Sequence, residues 1–353
     1  MAHLFIPGPT DVDTQVLAAQ AQPMIGHRGA DFQALFARIQ PKLRQVFATT
    51  RRVYISTSSG TGLQEAAMRN CVAQKVLCCV NGAFSERWYE VAVANGKDAL
   101  RLEVKWGRAI LPEMVNTALS AGGFDALAVV HNETSTGVAS PVREIAALVR
   151  EKFPDVTILV DAVSSLGGIE INFDDWGLDV LLTSSQKCLA LPPGLSFAAV
   201  SDRALEKARR VPNRGLYFDF VDLEKHLLKN QTPSTPAISL LWALDAGLDR
   251  ILAEGLANRF ARHAQMATRT RAWAMQKFNL FAQPDYRSQT VTCITNTRKL
   301  DVNALNAFLR GKGMQISDGY GKLKDTTFRI AHMGEIGMAD LDSLFAAIDE
   351  FSK

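Results

Sequence analysis

Short apolar runs alternate with amphipathic stretches over most of the chain. Seven runs between about Asp13 and Leu240 read as strands: Arg52–Ser56, Val76–Val80, Leu100–Val104, Ala126–His131, Thr157–Asp161, Val180–Thr183 and Phe197–Ser201. Most are apolar at consecutive positions, which suits strands covered on both faces of a largely parallel sheet. The intervening segments carry helical spacing. In Pro141–Lys152, for example, Ile145, Leu148 and Val149 share one face. Alternation of this kind predicts an α/β doubly wound domain.

From about Ile238 the pattern changes. One long helical stretch, Ile238–Lys277, leads to strand-like Thr290–Thr295, helix-like Val302–Arg310, strand-like Phe328–His332 and a terminal helix, Met338–Phe351. A sheet with helices on one face is the simplest arrangement of these. The reading is therefore a large domain over 13–240 and a smaller C-terminal α+β domain over 241–353, with residues 1–12 packing alongside. No internal repeat or low-complexity tract interrupts the pattern.

Composition narrows the function classes. Hydrophobic residues make up 47% and charged residues 21% of 353 residues, an ordinary balance for a soluble globular chain. The net charge of +3 is spread along the sequence, so the concentrated basic face that nucleic acid requires is not expected. Five cysteines, without a C-x-x-C pair, suggest neither a disulfide framework nor a zinc site. Buried thiols in a reducing compartment are the plain reading, and no metal is predicted. The N-terminal residues lack a basic stretch followed by an apolar run, and no apolar run approaches the ~18 residues of a membrane span. A cytoplasmic protein without a membrane partner is expected.

In open α/β sheets, ligands bind beyond the carboxyl ends of the strands. Three such places carry chemistry. Ser56-Thr57-Ser58-Ser59-Gly60-Thr61-Gly62 runs directly into helix-forming Leu63–Met68, and small residues at a helix N-terminus offer free N–H groups to an anion. There is no Walker lysine and no G-x-G-x-x-G pattern, so neither a P-loop nor a dinucleotide site is supported. Asp161 ends an apolar strand, where burial is costly unless a cationic or protonated group meets it. Lys187, in Ser184-Ser185-Gln186-Lys187-Cys188, sits among small and apolar residues, where desolvation lowers its pKa and makes it a nucleophile towards carbonyls. Taken singly, the three could be an N-cap, an aspartate capping its turn and a snorkelling surface lysine. Taken together they match pyridoxal phosphate, which needs an anion site, a lysine for its aldehyde and a carboxylate for its pyridine nitrogen.

These segments also resemble a known family. Val160-Asp161-Ala162-Val163-Ser164-Ser165-Leu166-Gly167-Gly168 and Ser184-Ser185-Gln186-Lys187-Cys188-Leu189-Ala190-Leu191-Pro192-Pro193-Gly194 are similar to the class V aminotransferases. Within that class they look most like the alanine–glyoxylate, serine–glyoxylate and serine–pyruvate group. Pro7-Gly8-Pro9-Thr10, Gly26-His27-Arg28 and His131-Asn132-Glu133-Thr134-Ser135-Thr136-Gly137 fit as well. The resemblance runs from Pro7 to about Arg329 and is loosest in the C-terminal third.

The resemblance implies fold type I and a homodimer whose active sites are shared between subunits. It implies that Lys187 holds the cofactor as a Schiff base and that Asp161 keeps its ring nitrogen protonated. Ser59, Gly60 and Thr61, helped by Gln186, would hold the phosphate, and Thr134 would contact the pyridine-side oxygen. Val163 would pack under the ring and Phe84 would stack on its other face, unless Phe84 is simply core. Gln231 and Thr232 match a segment that reaches the neighbouring subunit's phosphate. Arg329 matches the arginine that clamps the substrate carboxylate; an internal salt bridge is its structural alternative. The implied reaction moves an amino group from alanine or serine to glyoxylate or pyruvate by a ping-pong mechanism.

Three rivals stand beside it. Phosphoserine aminotransferase shares the class, and His27 with Arg28 resembles its phosphate-binding pair. A lyase such as a cysteine desulfurase is disfavoured, because Gln186 precedes Lys187 and no cysteine lies in a glycine-rich loop. A catalytically silent binding protein of the same fold would have little reason to keep Lys187, Asp161 and Arg329 together.

Overall fold

The computed structural model describes residues 3–352, and residues 1, 2 and 353 lie outside the described residues. Seven strands form the larger sheet, in the order Arg52–Ser56, Ser196–Val200, Val180–Ser184, Thr157–Asp161, Ala126–Val130, Lys75–Val80 and Asp98–Glu103. All share one direction except Ser196–Val200, which is antiparallel to both neighbours. The consecutive apolar runs have the meaning read from the sequence. Ala126–Val130, Thr157–Asp161, Val180–Ser184 and Ser196–Val200 are buried at every position. Helices Ala30–Val46, Val142–Lys152 and Ile238–Glu254 cover one face, and Gly60–Cys71 with Asp202–Arg210 covers the other.

Asp98–Glu103 departs from the expectation of double burial. It pairs only with Lys75–Val80, so it is a sheet edge, and its residues are exposed or half-buried. Charged Asp98, Arg101 and Glu103 suit that position, because charge on an edge discourages pairing with another chain.

The smaller sheet has the order His3–Phe5, Met314–Asp318, Thr327–Ala331, Val291–Thr295 and Asn279–Leu280. Helices Leu256–Met275, Val302–Gly311 and Met338–Phe351 pack Met266, Trp273, Leu305 and Leu344 against Phe5, Ile316, Phe328 and Ile330. The expected single helix over Ile238–Lys277 is two helices, Ile238–Glu254 and Leu256–Met275. Gly255 separates them at φ 81°, a left-handed conformation that glycine adopts without a Cβ penalty. Position 240 falls inside the first helix, which buries Leu241, Leu244, Leu248 and Ile251 in the larger sheet's core. Leu252 and Leu256, on either side of Gly255, still pack against that core. Among the described residues no helix is long and apolar enough to cross a membrane.

Candidate active site

Loops following the parallel strands converge on a cavity of about 250 Å³. It is lined by nine of the residues expected to hold a cofactor: Ser59, Gly60, Thr61, Phe84, Thr134, Asp161, Val163, Gln186 and Lys187. The reason is topological. Thr157–Asp161 and Val180–Ser184 are neighbouring parallel strands, so the residues after both emerge at the same edge of the sheet.

Asp161 closes its strand with a buried carboxylate. Its Oδ1 accepts the Val163 N–H at 2.8 Å and its Oδ2 accepts the Gln64 side-chain amide at 2.7 Å. Burial pushes its pKa up to about 6, and these two bonds oppose that rise. A carboxylate held in this way favours a cation or a protonated nitrogen as its ligand.

The shift has a consequence for the cofactor-free protein. The folded chain keeps the Asp161 proton up to about pH 6, against an ordinary value of 3.8. The native state therefore binds more protons than the unfolded state between those values, and this group's contribution falls as pH rises through them. The urea midpoint of the apoprotein is expected to drop between pH 4 and 6 by more than that of Asp161→Asn. Equal pH slopes in the two proteins would refute the assignment.

Lys187 follows the next strand. Burial, then the charge of Arg329, brings its pKa down to about 8, so a substantial fraction of the amine is neutral near physiological pH. Its Nζ donates to the Pro7 carbonyl, and the N-terminal segment crosses the lysine at Gly8. A Cβ at Gly8 would lie 2.6 Å from Lys187 Cδ, so only glycine lets the backbone pass this close.

Ser59 stands at the N-cap position of helix Gly60–Cys71 without a side-chain capping bond, and the first turn of that helix faces the cavity. A Cβ on Gly60 would come within 2.6 Å of Val163 Cγ2, so glycine here leaves that side chain its room. The hydroxyls of Thr134 and Ser164 share a hydrogen bond of 2.6 Å. Phe84 stacks on Tyr320, ring centres 5.1 Å apart, and Arg329 stands 5.5 Å from the Tyr320 ring. Arg329 is buried but does not line the cavity; its guanidinium donates to the Asp318 carbonyl twice at 3.1 Å and to the Thr134 carbonyl at 3.5 Å. No carboxylate pairs with it among the described residues, so the salt bridge weighed from the sequence is not formed.

Besides Arg329, four more expected residues are off the cavity wall in this chain. Gln231 and Thr232 follow helix Phe220–Leu227 and do not face the cavity. His27 is half-buried, and exposed Arg28 donates to the carbonyls of Thr232 and Pro233 at 2.5 and 2.7 Å. Conversely, Gln64, Arg87, Asn132, Ser164 and Ser184 line the cavity without having been singled out. The signal for Gln64 was its spacing of four from Gly60, one helical turn, and for Arg87 its spacing of three from Phe84. Ser184 ends a strand and Asn132 lies two residues beyond one.

The likeness to known proteins spans the whole chain. A family model described as aminotransferase class-V matches residues 10–324. The chain belongs to the class-V aminotransferases. This class-V aminotransferase is similar to an uncharacterized aminotransferase of Methanocaldococcus jannaschii, 38% identical over 98% of this chain and 91% of that one. It is 33% identical to a serine–glyoxylate aminotransferase of Methylorubrum extorquens, over 96% and 88% of the two chains. The crystal structure of an alanine–glyoxylate aminotransferase from Nostoc sp. has a TM-score of 0.94 and 32% identity, covering 100% of this chain and 95% of that one.

Class-V aminotransferases work with pyridoxal phosphate, and the cavity fits that group. Three buried polar atoms on its wall, Gln64 Oε1, Asn132 Oδ1 and Ser184 Oγ, have no hydrogen-bond partner. Each costs about 1–3 kcal/mol while unmet, which a ligand with matching polar atoms recovers. A helix N-terminus, a lysine of lowered pKa and a carboxylate of raised pKa complete the donor set. The cysteines offer no second chemistry, because all five are buried and burial pushes every thiol pKa up.

Proposed function

We propose that this aminotransferase transfers the amino group of alanine or serine to glyoxylate or pyruvate, with pyridoxal phosphate bound through Lys187. The observation that carries the reading is the meeting of Lys187 and Asp161 in one cavity, beside the N-terminus of helix Gly60–Cys71. Similarity to the serine–glyoxylate and alanine–glyoxylate relatives supports the substrate class.

When bound, pyridoxal phosphate supplies an aldehyde that captures amines and a ring that accepts the electron pair left at the substrate Cα. The chain's own residues do the rest. Lys187 would hold the aldehyde covalently and, when its amine is free and neutral, would take and return the proton at the substrate Cα. Asp161, oriented by the Val163 N–H and the Gln64 amide, would accept the ring N–H. Val163 and Phe84, both on the cavity wall, would lie on either side of that ring. Arg329 offers guanidinium donors to the substrate carboxylate, in the planar, two-point geometry that arginine favours.

Because donor and acceptor use the same site in turn, ping-pong kinetics follow. Double-reciprocal plots at several acceptor concentrations should be parallel, and a donor and acceptor panel scored by keto-acid formation should favour alanine or serine with glyoxylate or pyruvate. Intersecting lines, or no activity with any of these pairs, would overturn the reading. Arg329→Ala is expected to raise KM for every amino donor about 10- to 100-fold, the loss of a charged hydrogen-bonded pairing. An unchanged KM would remove Arg329 from the substrate site.

Among the rivals, a phosphoserine enzyme needs His27 and Arg28 at the substrate phosphate. In this chain neither residue lines the cavity, and Arg28 is exposed and donates to the carbonyls of Thr232 and Pro233. The discriminating measurement is kcat/KM for serine and phosphoserine in wild type and Arg28→Ala. A strong phosphoserine preference that collapses in the variant would promote the rival.

A homodimer belongs to the same proposal, with Gln231 and Thr232 reaching a second copy's phosphate. It is supported by apolar residues left in solvent on this side: Leu216 and Leu228 are 87% and 77% exposed, and half-exposed Tyr217 borders the Thr232–Pro236 segment. Light scattering should give a dimer. An active monomer would contradict it.

A further inference from the structure

Helix Ala83–Ala94 sends two residues to the cavity, Phe84 and, one turn later, Arg87. The spacing of three puts them on one helical face. The Arg87 guanidinium stands 5.2 Å from the centre of the Phe84 ring and donates to the Thr61 hydroxyl at 3.3 Å. Among the described residues no carboxylate pairs with it, whereas its neighbour Glu86 pairs with Arg101. A guanidinium carries five N–H donors. Here, on a half-buried side chain, they meet only one neutral hydroxyl.

Thr61 is the second residue of helix Gly60–Cys71, whose N-terminus is the anion cradle. The cradle segment Ser56–Gly62 contains no lysine or arginine. A helix N-terminus contributes the equivalent of roughly half a positive charge. A phosphate monoester brings about −1.5 to −2 at neutral pH. The imbalance calls for a cation, and Arg87 is the one hydrogen-bonded to the cradle. Its planar fork matches phosphate oxygens two at a time, and the Phe84 ring face steadies that plane.

We propose that Arg87 is the phosphate-binding cation of this cavity, seated on Phe84 beside Thr61 so that it meets the phosphate of pyridoxal phosphate. The inference rests on that cofactor occupying the cavity.

The test titrates apoprotein with pyridoxal phosphate and with pyridoxal, which lacks the phosphate, reading visible absorbance and tryptophan fluorescence. Wild type is compared with Arg87→Ala and Arg87→Lys, and Arg87→Gln replaces the alanine variant if that protein does not fold. Arg87→Ala should weaken pyridoxal phosphate binding about 10- to 100-fold, the loss of a charge-assisted contact, while the pyridoxal affinity stays the same. Arg87→Lys should lie between, keeping the charge and losing the fork. Equal weakening of both ligands would mean that Arg87 only props the Phe84 ring, and the proposal would fall. Unchanged affinity for both, with KM raised for aspartate but not for alanine, would assign Arg87 to a substrate side chain and equally overturn it. A wild type with no phosphate preference would also overturn the proposal, whereas a wild type that binds neither ligand would refute the cofactor reading itself.

Discussion

Lys187→Ala is expected to lower transamination turnover at least about 10³-fold, because one side chain carries two roles. In the proposed reaction it would hold the cofactor aldehyde and, as the only lysine on the cavity wall among the described residues, shuttle the Cα proton. Its lowered pKa, about 8, makes the neutral amine available for both tasks near neutral pH. The fold should survive, since truncation removes a single hydrogen bond to the Pro7 carbonyl. Borohydride reduction followed by peptide mass analysis checks the assignment directly. In wild type the reduced cofactor should be found on Lys187, and in the variant no lysine should carry it. A tag on any other lysine of the wild type would show the site to be wrongly placed.

Asp161→Asn should retain the fold yet cut kcat by roughly 10²–10³-fold, as expected when one preorganised electrostatic partner is removed. The carboxylate now accepts from both the Val163 N–H and the Gln64 amide. Asparagine keeps one acceptor and turns the other position into a donor. Gln64 can answer by flipping its amide, because its Oε1 has no partner to lose. The shape of the site therefore persists while its charge disappears. Cofactor affinity should fall about 10- to 100-fold, since a hydrogen bond to a charged group is worth roughly 1.5–3 kcal/mol. Near-normal turnover in this variant would refute the role given to Asp161.

Both residues were legible before any fold was known, for a local reason. An apolar run that ends in a charged side chain advertises a strand end with an unmet charge, and Thr157–Asp161 is such a run. Lys187 stood out because small and apolar neighbours offer an ammonium poor solvation. Strand positions were readable in the same way: Arg52–Ser56 and Thr157–Asp161 have the ends that their apolar runs suggested. Where the local pattern was weak, the reading failed. Met314–Asp318 is a strand with one buried residue, and its identity comes from pairing with His3–Phe5 and Thr327–Ala331 rather than from its own periodicity. The break at Gly255 was hidden because both flanking helices keep a helical pattern, and an isolated glycine inside one is tolerated.

By itself, then, the sequence determined the α/β class, the strands whose two faces are buried, and the lysine, carboxylate and glycine-rich loop at their ends. All of these depend on residues close together in the chain, where periodicity and side-chain chemistry act directly. Only the tertiary structure decided that Asp98–Glu103 is an edge, that Gln64 meets Asp161, and that Arg87 lies against Thr61. It also decided that Arg28 is engaged by carbonyls more than 200 positions away, at Thr232 and Pro233. Sheet order and helix packing bring such partners together, and neither is written in any single stretch of chain.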